Sequence, residues 1–362
     1  MLFLLILVYM FCMFCYLANV DTNKFIKIFL LLIPIPVAFF DPIEADRYSG
    51  HYLDTVRIFA EMDALRRGGW DVWTPYDDLL GSKIYIYFFA LLGNNYIMPV
   101  VTCFLVYTIV MCASIRVIGL YKQKNKIALL SLISLILLIN YLNVVTNIRY
   151  PLAVALFIFV LVLDVFEKKP QWLCLLLYIM IANLHSGILL LVGIRYIAKY
   201  KLRHSLVFLS IFLFVVFSNI DQILNLMLQN DSGLIYQMAS KQAAYEDYTR
   251  GFTPAFRLSC GIIDISILII IISCGKIVRR YMPKEVYNSA MLLSVLGLYF
   301  SFSYTLWGDV LIQRVETFTS FYLVLLYMVL HYERINLFVK LTYYFTLSYV
   351  FLFQIISCFK NS

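Results

Sequence analysis

The sequence predicts an all-α, polytopic integral membrane protein, and three observations carry that prediction. Of 362 residues, 63% are hydrophobic and only 14% are charged, whereas a soluble domain carries roughly a quarter charged residues. Apolar runs near the roughly 20 residues that a spanning helix needs recur down the whole length. The basic residues sit in short clusters between those runs, as orientation signals do. The short alternating segments of a β-barrel are missing. No polar stretch is long enough for a separate soluble domain, so residues 1–362 read as one transmembrane domain.

The runs predict helices at 1–20, 25–40, 94–119, 127–146, 151–166, 172–184, 187–198, 205–224, 258–276, 288–306, 311–330 and 341–358. With a shorter dipping helix at 80–92, this amounts to about 10–12 spanning or half-spanning helices. Met1 to Val20 lacks a positive start and a small-residue cleavage site, so it reads as a retained span. Two longer polar stretches, 41–83 and 225–257, remain as loops. If the first helix starts outside, short inner segments hold 18 of the 29 Lys and Arg, and 15 of the 21 Asp and Glu fall outside. That bias places both long loops on the outer side.

One segment breaks this pattern. Lys168 and Lys169 before it, and Arg195, Lys199, Lys201 and Arg203 after it, all favour the inner side. Between them two helices of about 12 residues rise about 18 Å each, short of a 30 Å core. Residues 172–198 therefore read as a helical hairpin turning at Asn183-Leu184-His185-Ser186. Such a polar turn needs protein or a wet cavity around it, and broken helices of this kind often line substrate sites.

Ionisable side chains at membrane depth cost at least about 2.5–3.5 kcal/mol, so each needs a reason. Arg149 lies in Asn147-Ile148-Arg149-Tyr150-Pro151, where Pro151 suits the start of a helix whose positive end would favour an anion. The plainer reading is an Arg snorkelling to the interface. Arg314 follows Trp307-Gly308-Asp309 with Glu316 nearby, which suits either an anion site or a structural Arg–Glu pair. His185 at the hairpin turn is a candidate catalyst, or simply a hydrogen-bonding residue. Asp54, Arg57 and Glu61 follow helical spacing, and a solvated amphipathic helix would explain that stripe alone. Asp264 lies inside a span, where it could pair with an Arg of a neighbouring helix.

Other chemistries lack their motifs. The net charge of +8 is accounted for by orientation clusters, so nucleic acid is not an expected partner. No P-loop is present. Cys12 and Cys15 form a C-x-x-C without a nearby His or further Cys, which favours packing over redox or metal chemistry. No cofactor and no metal are called for.

On several short motifs the chain resembles the Wzy-type bacterial polysaccharide polymerases, particularly the EpsG-like branch. The residues carrying the resemblance are Asp46-Arg47-Tyr48 through Tyr52, Trp73-Thr74-Pro75-Tyr76, Asn147-Ile148-Arg149-Tyr150-Pro151-Leu152-Ala153, Asn183-Leu184-His185-Ser186 with Arg195-Tyr196, and Arg314 leading into Phe318 and Phe321-Tyr322. Relatives often carry an Arg shortly before the first-loop Asp, where this chain has Pro34-Ile35-Pro36-Val37. The resemblance implies an enzyme of the bacterial inner membrane, with its site facing the periplasm or exterior. It would transfer a glycan from undecaprenyl diphosphate to the non-reducing end of another lipid-linked repeat unit. On that reading Arg149 and Arg314, helped by Arg257 or Arg250, hold the diphosphate. Asp46, Asp54 or His185 serves as base or hydroxyl ligand. Arg47, Tyr48, Tyr52, Asn147 and Tyr248 face the sugar. Membrane lipid and a chain-length regulator protein are the further partners it implies. A related ligase, a lipid-linked oligosaccharide flippase or transporter, and a membrane O-acyltransferase using His185 are the competing readings.

Overall fold

The structure, a computed structural model, describes residues 2–43, 54–72, 79–200, 204, 207–208, 254–302, 318–327 and 337–360. Every regular element among them is helical. In chain order these are α1 (Leu2–Leu17), α2 (Thr22–Leu32), α3 (Ile35–Ala38), α4 (Asp54–Gly68), α5 (Leu80–Leu91), α6 (Ile97–Leu120), α7 (Asn125–Leu138), α8 (Tyr141–Thr146), α9 (Arg149–Leu161), α10 (Gln171–Leu184), α11 (Ile188–Ile197), α12 (Pro254–Tyr281), α13 (Lys284–Phe302), α14 (Phe318–Tyr327) and α15 (Leu337–Lys360). A π-turn, Val162–Phe166, continues α9.

Three stretches, Ile97–Leu120, Arg149–Phe166 and Arg257–Tyr281, are long and apolar enough to cross a membrane. At 1.5 Å per residue they rise about 36, 27 and 38 Å. The other apolar helices, Phe3–Leu17 and Leu337–Phe353 among them, are shorter. They are shorter because the predicted runs are interrupted. The 25–40 run stops at Pro34 and Pro36, which cannot donate to the preceding turn. The 127–146 run stops at Ile139, which is extended, and the Asn140 side chain then accepts from Asn143 N to start α8. α12 is bent at Cys274, beside Gly275.

Helix α9 is the axis of the assembly, with 78% of its apolar window enclosed by protein. It packs against α6 on one side and α10 on another, while α12 pairs with α13 and α15. Phe157 of α9 meets the rings of Tyr178 (α10) and Phe318 (α14), each at 5.0 Å. Lipid is as apolar as leucine, so these contacts hold helices together by packing rather than by escape from water.

Polar side chains fasten the ends. The amide of Asn125 donates to Val20 O at 2.9 Å and its oxygen accepts from Thr22 N at 2.9 Å, tying the α1–α2 turn to the start of α7. Arg66 donates to Ala90 O at 3.0 Å and to Asn95 Oδ1 at 2.6 Å, which locks the end of α4 onto the α5–α6 turn. Asp264 of α12 is buried against Gly297 of α13, where a Cβ would fall 2.1 Å from its Oδ2. Cys12 and Cys15 are buried thiols in α1, with no disulfide between them.

The hairpin expected at 172–198 is present as α10 and α11, joined by His185–Gly187. Tyr178 on one arm and Arg195 on the other reach the same carboxylate, Asp164 in the π-turn, so the chain doubles back. That contact corrects the reading of Arg195 as an inner-side loop charge: its side chain is 4% exposed, with Nε 3.0 Å from Oδ2 of Asp164, itself 6% exposed. The stretch expected as a polar loop at 41–83 is also corrected. It holds the 15-residue helix α4, which buries Ile58, Phe59, Met62 and Leu65 against α5, Met98 and Ile148. Of the second loop, 225–257, only residues from Pro254 onward are described, and they open α12.

Candidate functional site

Helices α4, α5 and α9 start close together, and the hairpin turn meets them there. The cause is local. The hydroxyl of Thr55, the second residue of α4, donates to Val145 O at 2.9 Å and Thr146 O at 2.8 Å. Those carbonyls end α8, three or four residues before Arg149, so Asp54 is brought beside the first residue of α9.

The Arg149 side chain is 4% exposed. One guanidinium nitrogen lies 3.5 Å from Asp54 Oδ2, and another donates to Ser82 Oγ at 3.1 Å. The Ser82 hydroxyl spends its own proton on Leu184 O at 2.5 Å, so its oxygen is left to accept from Arg149. Leu184 is the residue before His185. Gly81 passes the hairpin so closely that a Cβ would lie 3.1 Å from the Asn183 carbonyl. The Tyr150 ring sits 5.0 Å from the His185 ring, edge to face. Arg149, Asp54, Ser82 and the His185 turn therefore form one cluster from four separate segments.

Asp54 is shared. It also pairs with Arg57, whose Nε lies 4.0 Å from Glu61 Oε1. The Asp54 and Glu61 side chains are 19% and 10% exposed while Arg57 is 46% exposed, so the two carboxylates of the stripe are largely covered and only its arginine faces out. Two guanidiniums alternate with two carboxylates, and the string ends on Ser82. A buried guanidinium without an opposing charge would cost several kcal/mol. Here the opposing charge is partly solvent-exposed and, at 3.5 Å, loosely held. An incoming anion could take its place.

Two expected details change. The backbone N–H supply at the start of α9 is smaller than anticipated, because Tyr150 N already donates to Asn147 O at 3.0 Å and Pro151 has no N–H. Anion capacity there rests on the guanidinium. His185 Nδ1 accepts from Gly187 N at 3.1 Å, which in the neutral ring leaves the proton on Nε2. That nitrogen is a donor, so the His185 ring in this tautomer is an oxyanion or hydroxyl partner rather than a base.

Asn147 donates its amide to Asn143 Oδ1 across the α8–α9 corner. Arg257 is half-buried in the first turn of α12. Asp46, Arg47, Tyr48, Tyr52, Tyr248, Arg250 and Arg314 lie outside the described residues. Ser82 and Thr55 were missed in the sequence. The available signal was a Gly81-Ser82 pair opening an apolar helix. No protein-family model, characterised protein or solved structure matches the chain.

Proposed function

We propose that the chain is a membrane glycosyltransferase of the Wzy type, a polymerase of polyprenyl-diphosphate-linked glycan repeat units acting at the outer face of the bacterial inner membrane. The observation carrying this reading is Arg149: a buried cation at the start of a spanning helix, loosely held by Asp54 and Ser82, with a broken helical hairpin at its side. The motifs read from the sequence supply the rest.

In the proposed reaction the bond between the sugar anomeric carbon and the diphosphate oxygen breaks. A bond forms from that carbon to an acceptor hydroxyl, whose proton passes to a base, and undecaprenyl diphosphate leaves. Arg149, with His185 Nε2–H beside it, stabilises charge developing on the leaving oxygen. Asp54 is the carboxylate in contact with Arg149, so a hydroxyl bound to it lies near an anion held there. Arg314, Arg257 and Arg250 remain proposed as further diphosphate ligands and Asp46 as a base. Arg47, Tyr48, Tyr52, Asn147 and Tyr248 remain proposed as sugar contacts.

The test uses the purified protein in liposomes with one undecaprenyl-diphosphate-linked oligosaccharide. A polymerase forms a ladder of products, and Arg149→Ala lowers its rate about 10²–10³-fold. An unchanged ladder would refute the role given to Arg149. One observation favours a second reading, a lipid-linked oligosaccharide transporter. The Asp164–Arg195 pair puts buried charge at the far end of α9 as well, and transporters carry such charges at both depths. Transfer of the intact lipid-linked species across the bilayer, without a ladder, would establish it.

A further inference from the structure

Outside the cluster at Arg149, the strongest polar feature among the described residues is the Asp164, Arg195 and Tyr178 group. Asp164 Oδ2 accepts from Arg195 Nε at 3.0 Å and from the Tyr178 hydroxyl at 3.3 Å. Both charged side chains are more than nine-tenths buried. A desolvated pair of this kind rarely adds net stability over an apolar pair of equal volume. Its retention needs another account.

The geometry supplies one. Asp164 stands in the π-turn Val162–Phe166, an insertion that breaks the regular α-helical register of α9 and that is common near functional sites. Tyr178 and Arg195 belong to the two arms of the hairpin, six and ten residues on either side of Leu184 and His185. One oxygen thus holds both arms. The same hairpin at its tip accepts from Ser82 through Leu184 O and carries His185 against Tyr150. The tip has two short contacts with its neighbours, while the arms are fixed in rotation and height by Asp164. A directed, charge-assisted hydrogen bond from Arg195 Nε to Asp164 Oδ2 specifies direction, which apolar packing does not.

We propose that Asp164 and Arg195 are positioning residues for the Arg149 cluster: their pair sets the height and rotation of the hairpin, and through it the place of His185 and the Leu184 carbonyl. For its catalytic readout this inference rests on the polymerase reading above.

The test compares Asp164→Asn, the apolar pair Asp164→Leu with Arg195→Met, and the exchanged pair Asp164→Arg with Arg195→Asp. A second measurement needs no activity. Asn183, exposed at the tip, is changed to Cys, and its labelling by a water-soluble maleimide is timed against the parent chain, which controls for the native cysteines. The expected result is a change of at least fivefold in Asn183→Cys labelling in Asp164→Asn and in the apolar pair, with both still monodisperse. In polymerisation kcat falls at least tenfold and KM for the lipid-linked donor stays within about twofold, because Arg149 and Ser82 are untouched. The exchanged pair restores part of both. A monodisperse apolar pair with parental labelling and parental kcat overturns the proposal. If the parent forms no ladder, the polymerase reading fails, and the labelling alone decides whether the pair positions the tip.

Discussion

A buried guanidinium lies at each end of α9, Arg149 in its own first turn and Arg195 of α11 against Asp164 in the following π-turn, and the two are held differently. Arg195 meets Asp164 at 3.0 Å with both side chains more than 90% buried. Arg149 meets Asp54 at 3.5 Å, the carboxylate is 19% exposed, and Arg57 competes for it. The first arrangement is closed: charge balance is complete within the protein and solvent has little access. The second is more open, because Asp54 is partly exposed and shared between Arg149 and Arg57. Equal burial of two arginines therefore says little about their roles. How tightly and how exclusively each is neutralised separates a structural fastening from a candidate ligand site.

That contrast can be broken most severely through stability. Asp164→Ala leaves Arg195 buried without its counter-charge, and about 3–5 kcal/mol of stability should be lost. Asp54→Ala should cost less, about 1–3 kcal/mol, because the carboxylate removed is partly exposed, lies 3.5 Å from Arg149, and Ser82 still accepts from Arg149. Thermal melts of both variants in one detergent measure the difference, and equal losses would erase the distinction between open and closed ends. Gly81→Ala should cost about 1–3 kcal/mol by forcing α5 away from the hairpin backbone, with reduced polymerisation at unchanged expression. Ser82→Ala removes the link between Arg149 and Leu184 O at a cost of about 1–2 kcal/mol. Its KM for the lipid-linked donor should rise, whereas Ser82→Thr should retain the link.

The smallest expected effect concerns the end of α6. Tyr121 donates to Tyr281 O at 2.7 Å, and burial pushes its ionisation up to about 12. The neutral hydroxyl is the form the fold favours. Its contribution is complete below the ordinary tyrosine value of about 10 and is lost as pH rises from there through about 12. Melting temperature should fall across that window, less steeply in Tyr121→Phe.

Much of this architecture could be read from the chain, and the failures share a cause. The apolar runs at 94–119 and 151–166 match, to within a few residues, two helices long and apolar enough to cross a membrane, because a run near 20 residues bounded by polar clusters has few alternatives. The hairpin was legible because its arms are too short to cross. The Asp54, Arg57, Glu61 spacing correctly indicated a helix, yet the face it buries depends on Thr55 reaching carbonyls some 90 residues away. No pattern within α4 encodes that contact. Ser82 was invisible for the same reason: a lone serine at a helix start is ordinary until a distant arginine meets it. Arg195 was misread because it borders a basic cluster. Asp164 falls inside the predicted 151–166 helix, but its partner stands 31 residues further on, and no local pattern encodes that contact.

The hairpin also constrains how the protein is made. With 14 and 10 residues, α10 and α11 rise about 21 and 15 Å, so neither is a stop-transfer segment on its own. Arg195 adds an insertion penalty of about 2.5–3.5 kcal/mol. Asp164 is synthesised 31 residues earlier, within the segment that can integrate unaided. The expected order of biogenesis is that α9 enters the lipid first and carries a receptor for the arginine still to come. The arms then leave the translocon together, once Arg195 has emerged. A cysteine placed in α10 should be labelled by a water-soluble maleimide in nascent chains stalled before Arg195 and protected in those stalled beyond it.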